Sequence, residues 1–566
     1  MRILHLNVKN FRGIQSLDWH LGGDVICLVG PGDTTKTTIL DAMELALAPR
    51  WIVGFSDADF FGGKAAGKTI MIRVSVGELP DELLGEDAFG PYLCGYSADG
   101  ECISDPEDGT EEALVVQLRV EDDLEPHWEV IKDGVLDPKP ISWRNRARLG
   151  VARVGEDIVR HMTWSRGSAL GRITSGDVTS SRLAAANRAA QDAVAGAGLE
   201  ELEQAVGAVK SAAEILGVRI SDLRPGLDVG SMNIGGAAIA LHDGDIPLRS
   251  VGLGTRRLAG VAIQRAGIGP EAILLIDEVE HGLEPHRIKR LLKCLTVDRE
   301  DKGQVIMTTH SPTPVMALRV SQLGFVRAEN GVTTVRRVDS ATEETMQQLV
   351  RSRLGLAVLA ERIIVCEGKT EVAICDVLED FWADQHDGKS LTYCGVAWVE
   401  GGGSEASIAA LELARLGYSV LYFGDSDEAI SPSPAALSEA GVTVVLWPGD
   451  VCTEERLARD VPWECLAEML AIAVSDRGED SVLQSVACDL GSSLVSLGLN
   501  LDAWQEVSTE GSIRSAIAAA AKRKKWFKNI EMGRELARVV AQALPEIGES
   551  ATFCTLSEIE RWAYDT

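Results

Sequence analysis

The sequence predicts an α/β protein in two parts, each organised on a parallel sheet, and three observations carry that expectation. Val25–Val29 is an apolar run that enters the turn Gly30-Pro31-Gly32-Asp33-Thr34-Thr35-Lys36-Thr37-Thr38, followed by the helical run Ile39–Leu47. Ala272–Ile276 is a second apolar run, ending in Asp277-Glu278. Ile363–Val365 and Val420–Phe423 are two more, leading into Glu367-Gly368-Lys369-Thr370-Glu371 and Asp425-Ser426-Asp427. Short apolar runs bounded by turns read as buried strands, and ligands of open parallel sheets gather at the strands' carboxyl ends.

The first turn is a P-loop arrangement. Backbone N–H groups of Gly30, Gly32, Asp33, Thr34 and Thr38 and the helix N-terminus suit phosphate, Lys36 reaches the β and γ oxygens, and Thr37 ligates Mg²⁺. One position departs from the pattern: Thr35 stands where the second glycine belongs, so the loop must tolerate a Cβ there. Asp277 suits the acid that holds the nucleotide's Mg²⁺, and Glu278 the base that polarises attacking water.

Three further pieces narrow the ATPase. Asn10-Phe11-Arg12-Gly13-Ile14 follows the first strand, Ser250-Val251-Gly252-Leu253-Gly254-Thr255 opens a helix, and Val305–Ser311 is a strand ending in His310. Together with Glu280-His281-Gly282-Leu283-Glu284-Pro285 they resemble the heads of RecF, Rad50 and SMC relatives of ABC ATPases. The resemblance implies that Arg12 belongs to the nucleotide site and that His310 is the switch histidine. It also implies that Ser250, Gly252 and Gly254 bind the γ-phosphate held by a second copy. The interval from Lys36 to Asp277 leaves room for only a short heptad seam, Leu199, Leu202, Val206, Val209, Ala213 and Leu216, so the long arm of Rad50 and SMC proteins is absent.

Four carboxylates, Glu367, Glu371, Asp425 and Asp427, converging at one sheet edge would repel one another unless divalent cations lay between them, the requirement for two-metal phosphodiester chemistry. If a helix begins after Gly368, both glutamates can face that site. This pattern resembles a Toprim domain. An ABC-type head followed by a Toprim domain is similar to the OLD (overcoming lysogenization defect) family, which includes the Gabija nuclease subunit. The resemblance covers nearly the whole chain. It implies an ATP-binding, metal-dependent DNA endonuclease acting in anti-phage defence, with two Mg²⁺ or Mn²⁺ ions at the acidic site and one with ATP. It implies Glu454 as a further ligand, Lys528 as the charge-stabilising lysine with Lys525 second, a homodimer or higher oligomer, and room for a helicase partner. RNA or transfer RNA as substrate, and a RecF-like DNA-binding switch without cleavage, stay open.

Bulk properties agree with a globular chain of 566 residues, 45 % hydrophobic. No apolar run reaches the roughly 18 residues of a membrane span, Met1–Leu6 reads as a strand, and eleven scattered cysteines suit a reducing cytoplasm. The net charge of −30 disfavours non-specific nucleic-acid binding, so contact falls to local patches. Lys522-Arg523-Lys524-Lys525-Trp526-Phe527-Lys528 is the densest; Arg144, Arg146 and Arg148 form a smaller one, and Arg256-Arg257 follow the signature motif. The expected organisation is an ATPase part over 1–160, a helical dimerisation insertion over 161–225, a second ATPase part over 226–345, a helical connector over 346–360 and a Toprim part with C-terminal helices over 361–566. Asp81–Asp137 is acidic and turn-rich, an insertion without evident chemistry.

Overall fold

A computed structural model describes residues 1–47, 49, 53–86, 88–97, 102–132, 134, 136–163, 168–170, 189, 241–243, 245–268, 271–297, 303–491, 494 and 497–565. The heptad seam and most of the expected helical insertion lie outside these residues. The chain forms two compact units: Met1–Phe11, His20–Val25 and Ile39–Met307 in the first, Arg12–Trp19, Ile26–Thr38 and Thr308–Thr566 in the second.

In the first unit, Arg2–Phe11 pairs antiparallel with Ile70–Gly77, which pairs with Glu111–Val120 and through it with Pro126–Lys132. The acidic, turn-rich stretch therefore contains regular strands. Inside it Leu114, Val116, Leu118 and Val120 supply β-branched and leucine side chains to a sheet core, while Asp105–Gly109 is the loop expected. Elsewhere in this unit Val151–Val154, Ile273–Ile276 and Val305–Thr308 run parallel. Every residue of the last two strands is buried, as strands covered on both faces must be.

The second unit holds the phosphate loop and the acidic turns. Val25–Val29 runs parallel to Leu323–Glu329, which forms a hairpin with Val332–Arg336. Further along, Arg362–Cys366, Val396–Glu400, Ser419–Gly424 and Thr443–Leu446 make a four-stranded, wholly parallel sheet, with Arg362–Cys366 and Ser419–Gly424 at its centre. Helices Lys369–Gln385, Trp463–Arg477, Glu510–Lys524, Ile530–Ala543 and Ala551–Tyr564 share its core, in which Trp382, Trp447, Trp504, Trp526 and Phe527 are fully buried. Trp526 and Phe527 are thus packing residues, and no base can stack on them. Residues 343–359 form helical turns that connect the two sheets of this unit. No helix among the described residues is long and apolar enough to cross a membrane.

Candidate functional site

Cys366 pairs with Phe423 across the two central strands, so the turns leaving these strands meet at the carboxyl edge of the sheet. The Glu367 N–H donates to the Phe423 carbonyl at 2.8 Å, and the Asp425 N–H donates to Glu367 Oε2 at 2.8 Å. Gly424 permits this approach, because a Cβ there would sit 2.6 Å from the same carboxylate oxygen. The triple glycine after Val396–Glu400 also closes on this strand end: Gly401 and Gly403 donate to the carbonyls of Cys366 and Glu367 at 2.7 and 2.8 Å.

Helix Lys369–Gln385 starts directly after Gly368, whose N–H donates to Glu371 Oε2 at 2.9 Å. The Thr453 hydroxyl stands between Glu371 and Asp425, contacting Glu371 Oε1 and lying 2.9 Å from Asp425 Oδ1; it accepts from Trp447 Nε1 at 2.7 Å. Its single proton cannot serve both carboxylates. The Lys528 ammonium stands between Asp425 Oδ2 and Glu454 Oε1, at 3.8 and 3.4 Å. It is held there by Thr370, which donates to the Phe527 carbonyl at 3.0 Å. Glu454 is fully buried, and neither of its oxygens has a hydrogen-bond partner despite the nearby ammonium. Burial pushes Asp425 up to about 7, assisted by the charges of Glu371 and Glu454. Burial raises Glu371 and Glu367 as well. For Lys528 burial acts downward, but Glu454, Glu371 and Asp425 outweigh it and hold the amine above its ordinary range.

Glu367, Glu371, Asp425, Glu454 and Lys528 are therefore brought together. Asp427 is turned to a neighbouring group: it pairs with Lys522 at 2.6 Å and lies with Cys452 and Glu455. In the basic run Lys522 and Arg523 are exposed but paired with Asp427 and Asp489, and Lys524 and Lys525 are exposed as well. Carboxylates are the ligands that a hard divalent cation such as Mg²⁺ or Mn²⁺ takes, and Glu454 supplies two buried oxygens without a hydrogen-bond partner. Thr453 and Trp447, which order the set, were not found by sequence reasoning; a Trp and a Thr flanking an acidic turn carry no distinctive signal.

In the phosphate loop, the buried Lys36 ammonium donates to the Gly30 carbonyl at 3.0 Å and to Thr34 Oγ1 at 3.1 Å, and contacts the Pro31 carbonyl. Gly30 has φ +151°, and a Cβ there would lie 2.5 Å from the Val326 carbonyl oxygen. Thr35 adopts φ +64°, the left-handed conformation that glycine normally supplies, at about 1–2 kcal/mol. Gly32, Asp33, Thr37 and Arg12 are exposed and Thr38 half-buried.

The other ATPase residues are in the first unit, except His310, exposed after Val305–Thr308. Asp277 ends Ile273–Ile276 and is paired with Arg153 at 2.7 Å; Arg153 also contacts Asp41 and reaches Glu44 at 3.3 Å. Burial acts to lower the Arg153 pKa, yet these carboxylates raise it overall. A charged residue inside the apolar strand Val151–Val154 was the available signal for Arg153, and it was missed. Glu278 has φ +45° and is half-exposed beside His281. Gly254 lets its helix start approach the Glu280–Leu283 turn, since a Cβ there would meet the Gly282 carbonyl at 2.7 Å; Ser250 and Gly252 precede it on the same segment. Two basic groups suggested for phosphate are buried instead. Arg146 stacks on Trp128 at 4.0 Å, and Arg257 donates to the Gly155 carbonyl at 2.9 Å.

Residues 152–315 match the family model described as "AAA domain, putative AbiEii toxin, Type IV TA system". Solved structures similar to the chain include three SMC heads. An Smc head bound to the C-terminal winged-helix domain of ScpA is 15 % identical and aligns over 60 % of this chain and 99 % of its own, with TM-score 0.34. The Smc head with extended coiled coil bound to the ScpA C-terminal domain from Pyrococcus furiosus gives 14 %, 62 %, 99 % and 0.35. The SMC head from Thermotoga maritima gives 15 %, 60 %, 100 % and 0.30. No curated protein matches the chain. The chain carries a P-loop ATPase-like domain, to which ATP and its Mg²⁺ are the fitting ligands.

Proposed function

We propose that the chain is an ATP-regulated, divalent-metal-dependent DNA endonuclease of the OLD type, with a Toprim-like nuclease part, acting in anti-phage defence as a homodimer or higher oligomer. The observation that carries the reading is Glu454: a fully buried carboxylate whose oxygens lack a hydrogen-bond partner and face one ammonium, Lys528 at 3.4 Å, in a cluster shared with Glu371 and Asp425. A module that only binds nucleic acid has no use for so costly a group.

Two Mg²⁺ or Mn²⁺ ions held by Glu367, Glu371, Asp425 and Glu454, with Asp427 beside them, would supply water activation and charge neutralisation. Lys528, about one-third exposed, donates to a non-bridging phosphate oxygen and stabilises charge that builds there. Thr453, anchored by Trp447, keeps Glu371 and Asp425 apart and oriented. Lys524 and Lys525 contact phosphates flanking the scissile one. In the ATPase part, Lys36 and the Gly30–Thr38 amides bind the nucleotide phosphates, and Glu278 orients water.

The test is incubation of supercoiled plasmid with purified protein in Mg²⁺ or Mn²⁺, with and without ATP. Metal-dependent nicking or linearisation is the expected outcome, and the ATP lanes give the sign of regulation. Inert plasmid beside cleaved transfer RNA would move the substrate to RNA; inertness toward both would favour a DNA-binding switch.

A further inference from the structure

We propose that the hairpin Leu323–Glu329/Val332–Arg336 relays the state of the phosphate loop to the acidic cluster, with Thr35 and Arg327 as its two contact points. The relay rests on the proposed regulation of cleavage by nucleotide, and it names the residues responsible. All the contacts lie within the second unit.

At the loop, Phe325 is in register with Val29, and the Val326 carbonyl presses against Gly30. The other strand of the hairpin places the buried Thr333 hydroxyl 3.0 Å from the Thr35 hydroxyl. The glycine usual at position 35 could not make this contact. The departure from the P-loop pattern therefore gives the loop a side chain that reads the hairpin, at the expense of a left-handed residue.

At the other end, Arg327 lies over the Tyr418 ring, 4.7 Å from its centroid, and donates to the Glu361 carbonyl at 3.1 Å. Phe325 meets Tyr418 edge-on at 6.4 Å, and Arg336 donates to the Arg415 carbonyl at 2.9 Å. Gly417, at φ +91°, admits both arginines: a Cβ there would be 3.1 Å from Arg327 Cγ and 3.5 Å from Arg336 Nη1. Glu361 and Tyr418 immediately precede the two central strands, whose far ends lead into Glu367 and Asp425. Those strands pair from Arg362–Ser419 to Cys366–Phe423, so a push at their amino ends moves both acids together.

Arg327 also has two buried donors, Nε and Nη1, without an acceptor. Unpaired buried guanidinium donors are unfavourable, so a shift of the hairpin that gave them acceptors would be favoured by that pairing. A coupling element needs such an alternative.

Hydrogen exchange of the full chain tests the relay, comparing Mg²⁺ alone with Mg²⁺ plus a saturating non-hydrolysable ATP analogue. In the wild type, the analogue is expected to slow exchange in residues 419–427 by roughly fivefold or more. Arg327→Ala should abolish that slowing while binding the analogue normally, and Thr35→Gly should abolish it at matched occupancy. Arg327→Lys, which keeps a cation over Tyr418, should restore part of it, which a merely structural role would not require. If Arg327→Ala does not fold, Tyr418→Leu removes the same contact from the opposite side. Equal slowing in wild type and variants, or none in the wild type, overturns the relay. Relayed slowing without any plasmid cleavage would overturn the nuclease reading alone.

Discussion

Asp425→Asn is expected to abolish metal-dependent cleavage, by roughly a hundredfold or more, while making the metal-free protein more stable at alkaline pH. Both effects have one origin. The Asp425 carboxyl is displaced from 3.8 to about 7, first by burial and then by Glu371 and Glu454. Its folded-state pKa lies above the unfolded value, so the folded state holds the proton more tightly. Stability from this group is present below about pH 4 and is lost as pH rises through about 7. The ionised group then disfavours folding by up to about 4 kcal/mol. Asparagine keeps the shape and the acceptor for the Thr453 N–H but cannot ionise. Calorimetry in a chelator should therefore show the variant melting above the wild type at pH 8, with the gap closing toward pH 4.5. A variant that melts lower at pH 8 would mean the ionised carboxylate stabilises the fold, through Lys528, more than burial penalises it.

Lys36→Ala should weaken ATP binding by about a hundredfold, since charge-assisted hydrogen bonds are each worth about 1.5–3 kcal/mol. The ammonium now bonds to the Gly30 carbonyl and Thr34 Oγ1, groups of the loop itself, so a nucleotide phosphate replaces partners already in place. The alanine variant loses the cation and also the tie that shapes the loop around it. Titration with a fluorescent ATP analogue reads the affinity, and unchanged binding would remove this loop from nucleotide recognition.

The strands that carry function were legible because each is an apolar run ending in a residue type with specific chemistry. Val25–Val29, Ile273–Ile276, Arg362–Cys366 and Ser419–Gly424 all form as parallel strands. Glu371 could be placed because a helix following Gly368 sets it near the strand end, and Lys528 through resemblance to a lysine segment. What escaped was long-range. Arg153 meets Asp277 only through the pairing of Val151–Val154 with Ile273–Ile276, and Thr453 reaches Glu371 across the fold. The pairings of the basic run are long-range in the same way: Lys522, Arg523 and Lys528 find carboxylates far away in sequence, and Trp526 and Phe527 sit in the core. Asp427 stands two residues from Asp425 yet pairs elsewhere, because Lys522 on Glu510–Lys524 draws it aside.

The most direct measurement is calorimetric titration of Mn²⁺ into nucleotide-free protein and into a Glu454→Gln variant. If the buried carboxylates form a metal centre, the wild type binds Mn²⁺ saturably at neutral pH and releases protons, because Asp425, pushed up to about 7, enters partly protonated. The variant then binds clearly more weakly while melting cooperatively. Equal binding by both proteins, or no Mn²⁺ uptake by the wild type, would contradict the metal centre and the nuclease chemistry built on it.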